Sequence, residues 1–488
     1  MALVFSSNDD EIIKKTIFLN ENLVISNDDI YSFYEIDRCI DWIKSNAFEK
    51  VALQFPDEML KDSCQISLAL QNNTESNIYI LADTSYGSCC VDEVAAEHVS
   101  ADALIHFGHS CLSSTDRLPV LYIFCNMPFD IPNAKEEFQR LIPDLNSFVV
   151  LLYDTSYAYV INDFTEELKK DYINVIPSKL VFPKQSDTNL TCDSSNTNNE
   201  DIIKCNRQIK LPENILLEQC KMFYIGTEGP TLNSLIMTLN SSKFYSYNPC
   251  TLRGREESVN INQALRKRYY LIEKAKDAQM VGILVGTLGV SKYLTVIKHL
   301  KELIKKAGKK PYVLAVGKLN VVKLANFPEI DIFVLVACSE NSLIDSKEFY
   351  QPILTPFELE IAYNQARQWT GNYITEFSEL LSGSANYVPN EDNSDVQHEI
   401  SLVSGKLRSV GVIDSQADDT SDTTTITVRN EKLTLSTIHS QAAGEYLMNR
   451  TWKGLEQNLG ETPVVKATEG KIGIASGYEG EGNAPDIN

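Results

Sequence analysis

Positive charge is scarce in this chain of 488 residues: 44 Lys and Arg stand against 66 Asp and Glu, a formal charge of -22. That balance opposes non-specific binding to nucleic acid or to an anionic membrane surface, although a basic groove could still lie locally. Long apolar runs are missing too. No uninterrupted stretch approaches the roughly 18 residues of a membrane span, and the start, MALVFSSNDDEIIKKTIF, lacks the apolar core of a signal peptide. The cytosol is therefore the expected compartment, and eleven cysteines scattered from Cys39 to Cys338 are not expected to form a disulfide framework. The chain also has no CxxC pair, no G-x-G-x-x-G or P-loop phosphate cradle, and no Ser/His/Asp set or paired carboxylates that mark a hydrolase.

What the chain does have is 43% hydrophobic residues, enough for a sizeable core and for two to four units at roughly 150 residues each. Ile30 to Asn46 has helical spacing, and Val51-Ala-Leu-Gln-Phe55 reads as a buried strand. Strands are then predicted at Ile78–Ala82, Ala103–Phe107, Val120–Phe124 and Phe148–Tyr153, with helices between them, including Asp92–Val99, Pro132–Ile142 and Ser156–Lys170. Such alternation predicts α/β architecture built on parallel sheets. The expected divisions are an N-terminal arm over 1–25, a first α/β domain over 26–183, a mobile polar insertion over 184–210, a second α/β domain over 211–279, a third over 280–381, a disordered linker over 382–430 and a C-terminal segment over 431–488. Tyr224-Ile-Gly-Thr-Glu-Gly229 and Leu284-Val-Gly-Thr-Leu-Gly289 repeat one strand-to-turn phrase, a weak sign of duplication. The glycines of both phrases read as plain turn residues.

Chemistry gathers in Asp83 to Cys111. Cys89 follows one apolar run and Cys111 another, and far downstream Asp331-Ile-Phe-Val-Leu-Val-Ala337 delivers Cys338 in the same way. Ligands of parallel sheets bind outside the carboxyl ends of the strands, so three strand-end thiols can face one site. An iron–sulfur cluster suits them, since three thiolates leave one iron of a four-iron cube open. Zinc is the competing metal, with His106 or His109 completing a Cys3His set. Each thiol alone also reads as buried core. Cys90 is expected to point away from Cys89, as neighbours do in extended chain, and Asp92 is a candidate helix cap whose helix N-terminus would favour the Cys89 thiolate.

Asp83-Thr-Ser-Tyr-Gly-Ser-Cys-Cys-Val-Asp-Glu93, followed by His106-Phe-Gly-His-Ser-Cys-Leu112, resembles the 2-(3-amino-3-carboxypropyl)histidine synthase family of diphthamide biosynthesis. Matching stretches continue at Asp331–Glu340, Pro356-Phe-Glu-Leu, Trp369–Phe377 and Gly470–Glu479, so the resemblance covers most of the chain outside its polar insertions. It implies three related parallel-sheet α/β domains around a central iron–sulfur cluster. The implied chemistry is a radical transfer, in which a reduced 4Fe-4S cluster cleaves S-adenosylmethionine and the 3-amino-3-carboxypropyl group passes to a histidine of elongation factor 2. The catalytic type places one cysteine in each domain, whereas here two candidates lie in the first and one in the third, with Cys192, Cys205 and Cys220 outside any matching motif. The resemblance is therefore to the second, eukaryotic-type subunit, heterodimeric with a catalytic paralogue. Its cluster ligands carry over onto Cys89, Cys111 and Cys338, with no catalytic residue assigned. An electron relay is implied, fed by a small electron-donor protein and an NADH-dependent reductase. Two other readings remain: a catalytic radical enzyme acting as a homodimer, and a structural partner with a zinc or redox-silent site.

Overall fold

Short runs of Val, Ile, Leu and aromatic residues, bounded by turns, form strands that are buried on both faces when helices cover a parallel sheet. The computed structural model describes residues 30–82, 87–183, 202–212, 215–344, 349–390, 397–403, 405, 407–410, 473–474 and 477–478. Its first sheet is parallel and holds β1 (Lys50–Gln54), β2 (Asn77–Leu81), β3 (Ala103–Phe107) and β4 (Val120–Ile123) in the order β2-β1-β3-β4. Every residue of β3 and β4 is buried. Each fully buried large aliphatic side chain in them stabilises by about 1.5–3 kcal/mol. The predicted helix over Ile30–Asn46 is broken: Ile30–Phe33 and Ile36–Asn46 are helical, and Glu35 between them takes a left-handed turn with φ 47°.

A second sheet begins with β5 (Val149–Tyr153) and β6 (Val175–Pro177). The chain next forms a small antiparallel sheet from β7 (Lys179–Leu180), β8 (Ile202–Lys204) and β9 (Arg207–Ile209). It then returns with β10 (Lys221–Ile225), β11 (Lys243–Asn248) and β12 (Arg253–Glu256), giving the order β12-β11-β10-β5-β6, parallel apart from β12. The third sheet is parallel, with β13 (Met280–Val285), β14 (Lys310–Ala315), β15 (Ile332–Val336) and β16 (Ile353–Leu354) in the order β14-β13-β15-β16. The expected α/β class with several parallel sheets is the observed one.

Three expectations need correction. A first domain ending at 183 would keep β5 and β6 with the first sheet, yet β5 pairs with β10. Side chains on the preceding helix, Ile131–Leu141, explain the switch: Phe138 packs edge-on to Phe223 of β10 at 4.8 Å, Glu137 accepts from the Gly254 amide at 2.7 Å, and Arg140 donates to the Gly254 carbonyl at 2.7 Å. Strand and helix periodicity alone does not say which sheet a strand joins. Second, the polar insertion predicted over 184–210 is structured from 202 onward, because Ile202 and Ile209 face each other across the β8–β9 pair and Ile209 and Arg207 are buried. Third, within the predicted linker over 382–430, Gln397–Ile400 pairs antiparallel with Leu407–Val410. The arm over 1–25, residues 184–201 and residues 411–430 lie outside the described residues. A separate unit over 439–488 contributes the short pair Gly473–Ile474 and Gly477–Tyr478, and the rest of the predicted C-terminal segment lies outside the described residues. Among the described residues no helix is long and apolar enough to cross a membrane.

Candidate metal centre

The carboxyl ends of β2, β3 and β15 do bring the three predicted thiols together. Cys89, Cys111 and Cys338 are all buried, and Cys90 joins them, so that the four sulfurs lie within 4.8 Å of one another. Cys89 Sγ is 3.7 Å from Cys338 Sγ, and Cys111 Sγ is 3.8 Å from Cys90 Sγ. Alternation failed for Cys90 because the chain there is not extended: the Cys90 amide donates to the Gly87 carbonyl at 3.2 Å, closing a turn that points both sulfurs inward. The predicted motif residues Asp83–Tyr86 lie outside the described residues.

The turn is held from several sides. Gln54, the last residue of β1 and buried, donates to the Cys90 carbonyl at 2.7 Å and accepts from the Asp92 amide at 2.9 Å. Asp92 caps the helix Glu93–His98 as expected, accepting from the Ala95 amide at 2.9 Å. The Cys111 amide donates to the Cys89 carbonyl at 3.1 Å, which locks the two thiol loops of the first sheet together. From the β8–β9 turn, Asn206 donates to the Cys111 carbonyl at 2.8 Å. Polar groups also reach the sulfurs: Asn341 Nδ2 donates to Cys89 Sγ at 3.2 Å, and the Cys111 thiol donates to Ser113 Oγ at 3.3 Å. Hydrogen bonds shared with Cys338, and next with Cys89 and Cys90, hold the Cys111 thiol well below the ordinary thiol pKa. Its hydrogen bond to Cys111 is the first cause raising each of the other three. The four thiols thus share their hydrogen bonds with one another, and a metal ion would replace their protons.

Neither histidine completes a Cys3His set. His106 lies buried in β3 with Nε2 3.1 Å from the Ser88 carbonyl, and burial pushes its pKa down to about 4, so the neutral ring donates to the thiol turn. His109 is engaged by two carboxylates, with Nδ1 2.7 Å from Asp154 Oδ1 and Nε2 2.7 Å from Glu340 Oε2. Burial alone would lower its pKa, but the charges of Glu340 and Asp154 outweigh that and hold it well above the ordinary value. A doubly protonated ring has no lone pair for zinc.

The ligand chemistry fits a thiophilic metal: four soft sulfurs, buried, with amide and hydroxyl groups around them. Separations of 3.7 and 3.8 Å match the edge of a tetrahedron with metal–sulfur arms of ~2.3 Å around a single ion. A four-iron cube places its thiolates further apart, so the thiol loops would have to separate to hold one.

The diphthamide synthesis protein family matches residues 55–374, which include the Cys89, Cys111 and Cys338 loops. The chain belongs to the diphthamide synthesis family. Within it, similarity extends over full length to proteins named 2-(3-amino-3-carboxypropyl)histidine synthase subunit 2. The Danio rerio protein is 46% identical, covering 99% of this chain and 98% of its own. The Schizosaccharomyces pombe protein is 42% identical, covering 99% and 97%. The fold is that of Dph2 from Pyrococcus horikoshii, a structure with a 4Fe-4S cluster, at a TM-score of 0.53 and 22% identity over 72% of this chain and 94% of that one.

Sequence reasoning missed four residues around this diphthamide family site: Cys90, Gln54, Asn206 and Asn341. Gln54 had a signal, a lone amide inside the apolar run Val51–Phe55, and the adjacent Cys89-Cys90 pair had one as well. Asn206 had none, because it lies in the stretch whose composition reads as mobile.

Proposed function

We propose that this chain is the second subunit of the complex that transfers a 3-amino-3-carboxypropyl group from S-adenosylmethionine to a histidine of elongation factor 2. Cys89, Cys111 and Cys338 would hold a 4Fe-4S cluster, and Cys90 would stand beside it. The observation that carries the reading is the convergence of these buried thiols from the first and third sheets in a chain of this family. When bound, such a cluster takes up and releases a single electron at low potential. The residues of this chain would supply its thiolates, donate a hydrogen bond to the Cys89 sulfur from Asn341, and keep the site in an apolar surround that includes Val285, Val290 and Leu359. The catalytic paralogue is the proposed partner, electrons come from a small donor protein and its NADH-dependent reductase, and the cytoplasm is the proposed compartment.

The test is a folded, paired variant with Cys89, Cys111 and Cys338 all changed to Ser. It should fail with the reductase as electron source and turn over with excess chemical reductant. No turnover in either condition, with the partner's own cluster intact, would make this site part of the chemistry and end the relay reading. The 3.7 and 3.8 Å separations within two cysteine pairs favour a second reading, a single zinc held by all four cysteines in a redox-silent subunit. Zinc without iron or sulfide in anaerobically purified protein would select it.

A further inference from the structure

Three corresponding strand ends meet at one imidazole. β3 and β15 hold the third place in the orders β2-β1-β3-β4 and β14-β13-β15-β16, and β5 holds the same place in the second sheet once the antiparallel β12 is set aside. His109 follows β3, Asp154 follows β5 and Glu340 follows β15. Asp154 Oδ1 lies 2.7 Å from His109 Nδ1 and Glu340 Oε2 lies 2.7 Å from Nε2. A neutral imidazole has one N–H, so a ring with a carboxylate oxygen at hydrogen-bond distance from each nitrogen holds both protons. The Thr155 and Thr231 hydroxyls lie 3.1 and 3.3 Å from the same two nitrogens. The clasp therefore spans three sheets, and it shares its loops with the thiols: Cys111 comes shortly after His109, and Cys338 shortly before Glu340.

We propose that His109 is a positioning residue for the thiol group: by clasping Asp154 and Glu340 it sets how far apart the Cys111 and Cys338 loops stand, and so governs metal affinity without touching the metal. The inference rests on reading the thiols as metal ligands. A histidine that served the fold alone would change stability and leave the metal site as it was. A suitable comparison is His299, whose Nε2 lies 2.7 Å from the buried Glu360 and ties the helix Tyr293–Lys306 to the helix Pro356–Tyr363 rather than one cysteine loop to another.

The experiment titrates cobalt(II) into the full-length, metal-free chain under anaerobic conditions and follows thiolate-to-cobalt absorption together with thermal melting. His109→Gln should weaken cobalt binding by at least about tenfold and shift the absorption bands. His299→Gln should lower the melting temperature while leaving affinity and bands at the parent's values. Parent-like cobalt binding in folded His109→Gln overturns the proposal, and so does an equal change in His299→Gln, which would make stability the cause. Cys111→Ser is run alongside: if it binds cobalt as the parent does, the thiol reading itself has failed, whatever His109 does. Should His109→Gln not fold, Asp154→Asn is read in its place, since it keeps an oxygen acceptor and drops the charge. An unchanged cobalt titration there overturns the proposal, and if neither variant folds, the clasp supports the whole fold and the positioning role is dropped.

Discussion

Gly289 belongs to the repeated strand-to-turn phrase, yet it is not a plain turn glycine. A Cβ at this position would sit 2.0 Å from the Val91 carbonyl oxygen, where ordinary contact begins at 3.4 Å, so Gly289→Ala obliges one backbone to retreat by about 1.4 Å. The obstacle is main chain rather than the end of a flexible side chain, and it directly follows Cys90, whose turn carries two of the four thiols. Overpacking of this kind costs about 1–3 kcal/mol. For a chain of 488 residues that corresponds to a fall of about 1–3 °C in melting temperature. Because the third-sheet loop bears directly on the first-sheet thiol turn, iron content after anaerobic purification should fall along with stability. Gly308→Ala provides the matched comparison: nothing lies within 4 Å of its Cβ, but its φ of +72° costs an L-residue about 1–2 kcal/mol, and it ends the helix Tyr293–Lys306. Gly308→Ala should melt lower and keep its iron. If Gly289→Ala melts and binds iron like the parent, the close approach is no constraint. If Gly308→Ala loses as much iron, the loss merely follows global stability and the argument about the turn is refuted.

Other outcomes follow from the same geometry. Changing Cys89, Cys111 or Cys338 to Ser should each strip most of the iron, while Cys90→Ser, and the lone buried thiols in Cys125→Ser and Cys220→Ser, should keep most of it. Equal loss at Cys90, measured as iron and sulfide per chain, would replace the three-thiol scheme with a four-thiol one. Arg268→Met should cost about 3–5 kcal/mol in urea unfolding, because it leaves the fully buried Glu358 carboxylate without its guanidinium partner, and adding Glu358→Gln should restore part of that. A cost under about 1 kcal/mol would show that Tyr373 and the Thr355 amide suffice for Glu358. Burial alone would raise the Asp154 pKa, but the His109 charge outweighs it and brings the carboxyl from 3.8 to about 2. A depressed carboxyl stabilises fully above its unfolded value and loses that stabilisation as pH falls through the folded one. The parent should therefore lose stability between roughly pH 4 and 2, and Asp154→Asn should lose less over the same interval. Parallel acid titrations would refute the assignment.

Most of the fold was legible because it rests on local signals. The runs Ala103–Phe107, Phe148–Tyr153 and Asp331–Ala337 are apolar on both faces, and they became β3, β5 and β15 within a residue or two. Sheet membership was illegible for the opposite reason. Whether β5 joins the first or the second sheet depends on Phe138 meeting Phe223 and on Glu137 meeting Gly254, contacts between residues far apart in the chain. The β8–β9 pair was hidden by composition: Lys204, Cys205, Asn206 and Arg207 look like linker, but a left-handed Cys205-Asn206 turn and two facing isoleucines are enough to close it.

The site divides along the same line, and the division bears on its chemistry. Strand ends could be read from the sequence, so Cys89, Cys111 and Cys338 could be named before any geometry. Side-chain direction within a turn could not, and Cys90 turned inward on the strength of one backbone hydrogen bond to Gly87. The corresponding strand end in the second sheet carries Asp154 where the first and third carry thiol loops. The second sheet thus gives the centre a carboxylate through His109 rather than a sulfur, and the thiols span two sheets instead of three. The spacing of a centre built that way depends on how the first and third sheets are held against each other. The groups that bridge those sheets, Glu340 to His109 and Asn341 to Cys89, are therefore where a change of a single side chain should alter the metal site while the strands around it stay intact.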